Sequence, residues 1–152
     1  VNPILVLGIG NILLRDEGVG VHAVRRFQAE GVPEGVDAVD GGTFGADLLD
    51  VLADRERVIV IDAVEAEGPP GAILRFAGTD LAARTAVSLS LHDVGLLETL
   101  LIARQLKCEP KDVLVFGIIP ARLDPGLEMT AEVEAAVGKV LALVRKELAG
   151  AG

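Results

Sequence analysis

Three short stretches of this chain, ILVL at residues 4–7, VIVI at 58–61 and VLVFGII at 113–119, are apolar from end to end. A strand with one wet face alternates apolar and polar residues, whereas an unbroken apolar run belongs to a strand covered on both sides. That requirement confines the chain to a sheet enclosed between helices. The intervening sequence supplies the helices. Val19–Glu30 carries Val21, Val24 and Phe27 along one side and is closed by Gly31 and Pro33. Residues 44–53 suit a second helix. Residues 93–105 place Leu97, Leu100, Leu101 and Arg104 at helical spacing, behind a Ser90-x-x-Asp93 pattern that resembles a capping box. Thr130 is the expected N-cap of a last helix, whose Val133, Val137, Val140, Leu141, Val144 and Leu148 form one stripe.

Two weaker strands complete the pattern. Residues 36–39 form a short one, stopped by Asp40-Gly41-Gly42. The loop EAEGPPG at 65–71 can continue neither regular structure. The strand expected after it, 72–76, is then antiparallel to 58–61, because so short a connection leaves no room for a parallel crossover. Residues 78–90 carry no decisive periodicity. The expectation is a single domain over residues 1–152 with a three-layer α/β/α architecture and a five-stranded, mostly parallel twisted sheet.

Composition removes several classes of function. A net charge of −9, no Trp, no Tyr and only four Phe leave neither a phosphate-attracting surface nor a stacking platform, so nucleic acid is not an expected partner. Cys108 is the only cysteine. It excludes an internal disulfide and fits a reducing compartment, and nothing near it in sequence supplies the base or anion hole of a nucleophile. The first basic residue, Arg15, follows the first apolar run, unlike a signal peptide, and no run is long enough to span a bilayer. A cytoplasmic protein without membrane insertion is expected, and a monomer.

In open α/β sheets the functional crevice lies outside the carboxyl ends of the strands. The residues that follow the strands are Glu17, Asp40 and Asp62, with His92 opening a later helix. A dinucleotide fold offers one use for such a rim. The stretch LGIGNILLRDEGVG starts like its glycine-rich turn, and Asp40 stands where a ribose-binding acid belongs. But Leu13 replaces the third glycine, and Asp16 and Glu17 would face a pyrophosphate with like charge. A metal offers another. Two carboxylates and one imidazole suit a borderline divalent ion and leave positions open for a substrate. Each residue also has a plain structural use: Glu17 as a first-turn acid, Asp62 as a turn cap, His92 at a helix start. His22 reads as an ordinary helix residue. Of Asp16 and Glu17, only one is expected to face the crevice. No Ser-His-Asp or Cys-His set is visible, and Ser88 and Ser90 lack a nucleophile-elbow context.

The blocks VLGIGNILLRDEGVGVHAV, VDGGTFGADLL, VIVIDAV, SLHDVGL and FGIIP occur in that order across nearly the whole chain. Together they resemble the maturation proteases of the nickel–iron hydrogenases. The resemblance implies an endopeptidase that trims a C-terminal extension from a hydrogenase large-subunit precursor after nickel insertion. It also implies that Glu17, Asp62 and His92 recognise nickel, which the precursor supplies, so that metal in the isolated protein is weakly held or absent. The Asp40-Gly41-Gly42-Thr43 segment matches a family motif in which the glycines let a peptide approach the backbone, with Asp40 orienting a ligand or activating water. A non-catalytic nickel-checking chaperone for the same precursor would need the same ligands. Residues 77–91 match the family poorly.

Overall fold

Alternation along the central strands decides which helix covers which face. The computed structural model describes residues 1–42, 48–78, 87–88 and 91–150, with backbone alone at 87–88 and 91–94. Its elements are β1 (Ile4–Ile9), α1 (Val19–Glu30), β2 (Val36–Gly42), α2 (Leu48–Leu52), β3 (Arg57–Ala63), β4 (Glu65–Ala66), β5 (Ile73–Ala77), β6 (Val87–Ser88), α3 (Leu91–Gln105), β7 (Asp112–Ile118) and α4 (Ala131–Gly150). A 3₁₀ turn, Arg15–Gly18, precedes α1. Val6, Ile59, Ile61, Leu114, Phe116 and Ile118 point to one face, where α1 and α4 bury Val24, Phe27, Val137 and Val140. Leu5, Leu7, Ile9, Val58, Val60 and Val115 point to the other, against Leu48 and Leu52 of α2 and Leu96 of α3. The unbroken apolar runs are therefore strands with two cores, as their sequence requires.

The strand order is β2-β1-β3-β7-β5, parallel throughout except for β5. β4 and β6 form a separate antiparallel pair. The strand after the Pro-Pro-Gly loop is antiparallel as expected, but its neighbour is β7 and not β3. Both edges of β3 are taken by β1 and β7, so the returning chain must pass outward to a free edge. β2 runs on through Asp40 to Gly42 instead of stopping before it, because the glycines keep pairing: Ile9 lies opposite Gly42, and the Gly10 N–H donates to the Gly42 carbonyl at 2.9 Å.

The helices follow their patterns with one exception. The α1 stripe and the α4 stripe from Val133 to Val144 are buried as expected, with Leu148 partly buried. On α3 the buried side is Leu96, Leu100 and Ala103, while Leu101 and Arg104 face outward. The run LLETLLIARQ is apolar at too many positions for spacing to choose a face, and packing against α2 chooses it. α3 begins at Leu91; Ser90, half of the expected capping box, lies outside the described residues, as do the Asp93 side chain and residues 44–47 of the expected second helix. No described helix is long and apolar enough to cross a membrane.

Candidate functional site

The glycines of LGIGN serve close backbone contact. A Cβ on Gly8 would stand 2.1 Å from the Gly20 carbonyl oxygen, and one on Gly20 would stand 2.1 Å from that of Ile61. The first turn of α1 thus rests directly on the ends of β1 and β3. Gly10 adopts φ 143°, and a Cβ there would lie 2.0 Å from the Glu17 carbonyl oxygen. The chain leaves β1, folds back through the 3₁₀ turn, and lays the Glu17 backbone on the strand end it has just left. That turn also packs against β3. The geometry uses the glycines to deliver Glu17 to the strand-end rim.

Asp16 has a different task. It is fully buried, and its carboxylate accepts the backbone N–H groups of Ala121 (2.8 Å), Arg122 (2.9 Å) and Thr130 (2.8 Å), and the Thr130 hydroxyl (2.8 Å). Burial pushes this carboxyl upward, but the donors from Arg122, Thr130 and Ala121 outweigh it and hold it below its ordinary value. Asp16 therefore pins the turn to the segment after β7 and to the start of α4. Thr130 stands at the N-cap position expected of it: its carbonyl accepts the Glu134 N–H at 2.9 Å, while its hydroxyl donates to Asp16. Arg15, just before, takes a left-handed φ of 49°, a strained conformation for a residue with a side chain. No local pattern announces Asp16's role, because its partners lie 105 to 114 residues away.

Asp62 lies in β3 opposite Gly117 of β7, fully buried. By alternation it shares a face with Val58, Val60 and Val64, the face that α2 and α3 cover. Three residues later, Glu65 pairs with Ser88 across β4 and β6, and α3 starts directly afterwards. His92 is the second residue of α3, which begins three residues after Ser88. The Glu17 turn and Asp62 stand at the carboxyl end of the sheet, the turn packed against β3; the His92 side chain is outside the described residues.

Asp40 is not brought to that face. It pairs with Gly8 in register, and its carboxylate accepts the Arg25 Nε–H at 3.0 Å and the Gly42 N–H at 2.9 Å. Arg25 is on α1, so the Asp40 side chain lies across the sheet from Asp62 and fixes the Gly41–Gly42 bend. Thr43, the last residue of that motif, lies outside the described residues. His22, on α1, is half-buried, and its Nε2 has no hydrogen-bond partner among the described residues. Burial first, then the neighbouring Arg25 charge, hold its pKa below the ordinary value despite Asp40 and Glu134. It stays a helix residue outside the rim. Cys108 follows the end of α3, half-buried, with its N–H on the Ala103 carbonyl at 2.9 Å.

Comparison with known proteins adds an independent line. A family model described as hydrogenase maturation protease matches residues 21–147. The hydrogenase 2 maturation protease of Escherichia coli K12 is 37% identical over 149 residues, covering 94% of this chain and 91% of its own. A hydrogenase expression/formation protein HupD of Thiocapsa roseopersicina is 41% identical over 80% of this chain, which spans 56% of that relative's length. Among solved structures, the hydrogenase maturating endopeptidase HybD from E. coli superposes with a TM-score of 0.82 at 36% identity, over 95% of this chain and 93% of the other. The nickel–iron hydrogenase maturation protease HybD from Thermococcus kodakarensis gives 0.77 at 26% identity, over 94% and 97%.

Proposed function

The chain belongs to the hydrogenase maturation protease family, and from that premise we propose that it removes the C-terminal extension of a nickel-loaded hydrogenase large-subunit precursor. It is a peptidase. Three local features support the more specific reading: close-contact glycines seat the Glu17 backbone on the end of β1, Asp62 is fully buried on the sheet face that α2 and α3 cover, and α3, whose second residue is His92, starts soon after the β4–β6 pair.

In this reading nickel belongs to the substrate. Glu17, Asp62 and His92 offer it two carboxylates and one imidazole, a set that leaves positions for ligands from the precursor itself. Docking on the metal holds the neighbouring peptide bond at the rim, so recognition and positioning are one event. Water is activated either by a rim carboxylate acting as general base or by the bound metal. Asp40 acts at one remove, by shaping the Gly41–Gly42 bend along which a peptide can run.

Glu17→Gln and His92→Ala should each abolish processing of the nickel-loaded precursor, followed by the shift of the large subunit on a denaturing gel. Metal analysis of the purified protein should find well under one nickel per chain. A tightly held, fully coordinated metal in the isolated protein would contradict the reading of nickel as cargo. A stable complex with the precursor, formed through the same residues but without cleavage, would make the protein a nickel-checking chaperone.

A further inference from the structure

Beside the Glu17 turn lies a surface that the cleavage chemistry does not use. Leu13 and Leu127 are large apolar side chains left 60% and 68% exposed. They come from segments far apart in sequence that run side by side: Leu14 and Gly126 form a parallel bridge, the Gly126 N–H donates to the Leu13 carbonyl at 2.9 Å, and the Arg15 N–H donates to the Gly126 carbonyl at 3.0 Å. Ile12, Leu14 and Leu123, in the same two segments, are half-buried.

This ledge is built firmly. Asp16 ties it from beneath with three backbone N–H donors and a hydroxyl. Arg15 and Arg122 both engage Asp124, at 3.3 and 2.8 Å, so one carboxylate holds the two guanidinium groups beside the ledge. The Arg15 guanidinium packs over Gly126, where a Cβ would lie 2.6 Å from its central carbon. A preorganised apolar patch with an ion-paired polar border is the form of a protein-binding surface, since little order must be gained on docking.

We propose that Leu13 and Leu127 form the docking ledge for the folded body of the protein this enzyme cleaves. The proposal rests on the protease reading above. The occupant follows from continuity: Leu13 and Glu17 belong to one short segment pinned by one buried carboxylate, so a folded substrate that presents its metal to Glu17 overhangs the ledge. The matching surface on the substrate is apolar and lies close to its metal centre. Phe27, Phe76 and Phe116 are buried, so no described aromatic residue provides a rival anchor.

The test is steady-state cleavage of the nickel-loaded large-subunit precursor by the wild type, by the double variant Leu13→Ser/Leu127→Ser, and by Leu106→Ser as a control. Leu106 is 61% exposed but follows α3 near the opposite end of the sheet. Both ledge residues are on the surface, and an unchanged melting temperature checks that the double variant is folded. The expected result is a rise in KM of about tenfold or more with kcat nearly unchanged, the signature of lost uniform binding, and no change for Leu106→Ser. An unchanged KM in the double variant, an equal rise for Leu106→Ser, or a fall in kcat alone overturns the ledge and leaves the protease reading standing. A wild type that neither binds nor cleaves the precursor overturns both.

Discussion

Two adjacent acids, Asp16 and Glu17, look interchangeable in the sequence and are opposites in the fold. Asp16 is buried and meets four donors, while Glu17 is half-buried at the rim. Replacing Asp16 by Asn keeps the shape but turns an amide N–H₂ toward N–H donors and removes the charge that they serve. It should lower unfolding stability by about 2–3 kcal/mol, read from urea denaturation. Glu17→Gln should instead remove cleavage while the protein stays folded. The sequence indicates that only one of the pair reaches the crevice. Which one depends on donors more than a hundred residues away, beyond the reach of any local pattern. Asp40 is the converse case. Its place near the carboxyl end of a strand is legible, but its side of the sheet follows from alternation along a strand that runs through it to Gly42.

At the scale of elements, the contact of α1 with the sheet is the joint on which the site depends. A Cβ at Gly20 would meet the carbonyl oxygens of Ile61 at 2.1 Å and Ile9 at 2.4 Å, both backbone atoms that cannot step aside. Gly20→Ala should therefore lift the helix from the strands, cost about 3 kcal/mol, and impair cleavage by displacing the Glu17 turn. Gly31→Ala, at the other end of α1, meets nothing within 4 Å and carries only the strain of its φ of 113°. Its cost should be about 1 kcal/mol, with activity intact. Urea titration of both variants beside an activity assay checks the contrast. The strands and the α1 and α4 stripes are legible because their periodicity admits one answer. The α3 face and the neighbour of β5 are not, because an all-apolar helix and a free sheet edge are resolved only by the packing of other elements.

Across the whole molecule, the two ends of the sheet divide the work. The carboxyl ends carry the rim. The amino ends carry a lock in which the buried Arg55 donates to the Val51 carbonyl at 2.9 Å, the Asn2 carbonyl at 2.7 Å and the Asp37 carboxylate. The Arg55 guanidinium, then the Asn2 donors, lower the Asp37 carboxyl from 3.8 to about 2. Asp16 is lowered as well. Both groups hold protons less tightly folded than unfolded. Their contribution is therefore complete above the ordinary carboxyl value of 3.8 and is lost as pH falls through the folded values, about 2 for Asp37. Urea midpoints measured from pH 6 down to pH 2 should fall along that limb, and Asp37→Asn should start lower and fall less steeply. The α/β architecture follows from the apolar runs; strand ends and a helix start bring up Glu17, Asp40, Asp62 and His92, and the family resemblance narrows them to Glu17, Asp62 and His92. The lock at the other end does not, since nothing in the sequence around Arg55 marks it as buried.

The central claim is that this peptidase recognises its substrate by the metal the substrate carries. Intact-mass spectrometry tests it most directly, on one hydrogenase large-subunit precursor prepared with and without nickel and incubated with this protein. The account predicts a single discrete C-terminal loss from the nickel-loaded precursor, none from the nickel-free one, and none from either with His92→Ala. Equal cleavage of the nickel-free precursor would contradict it.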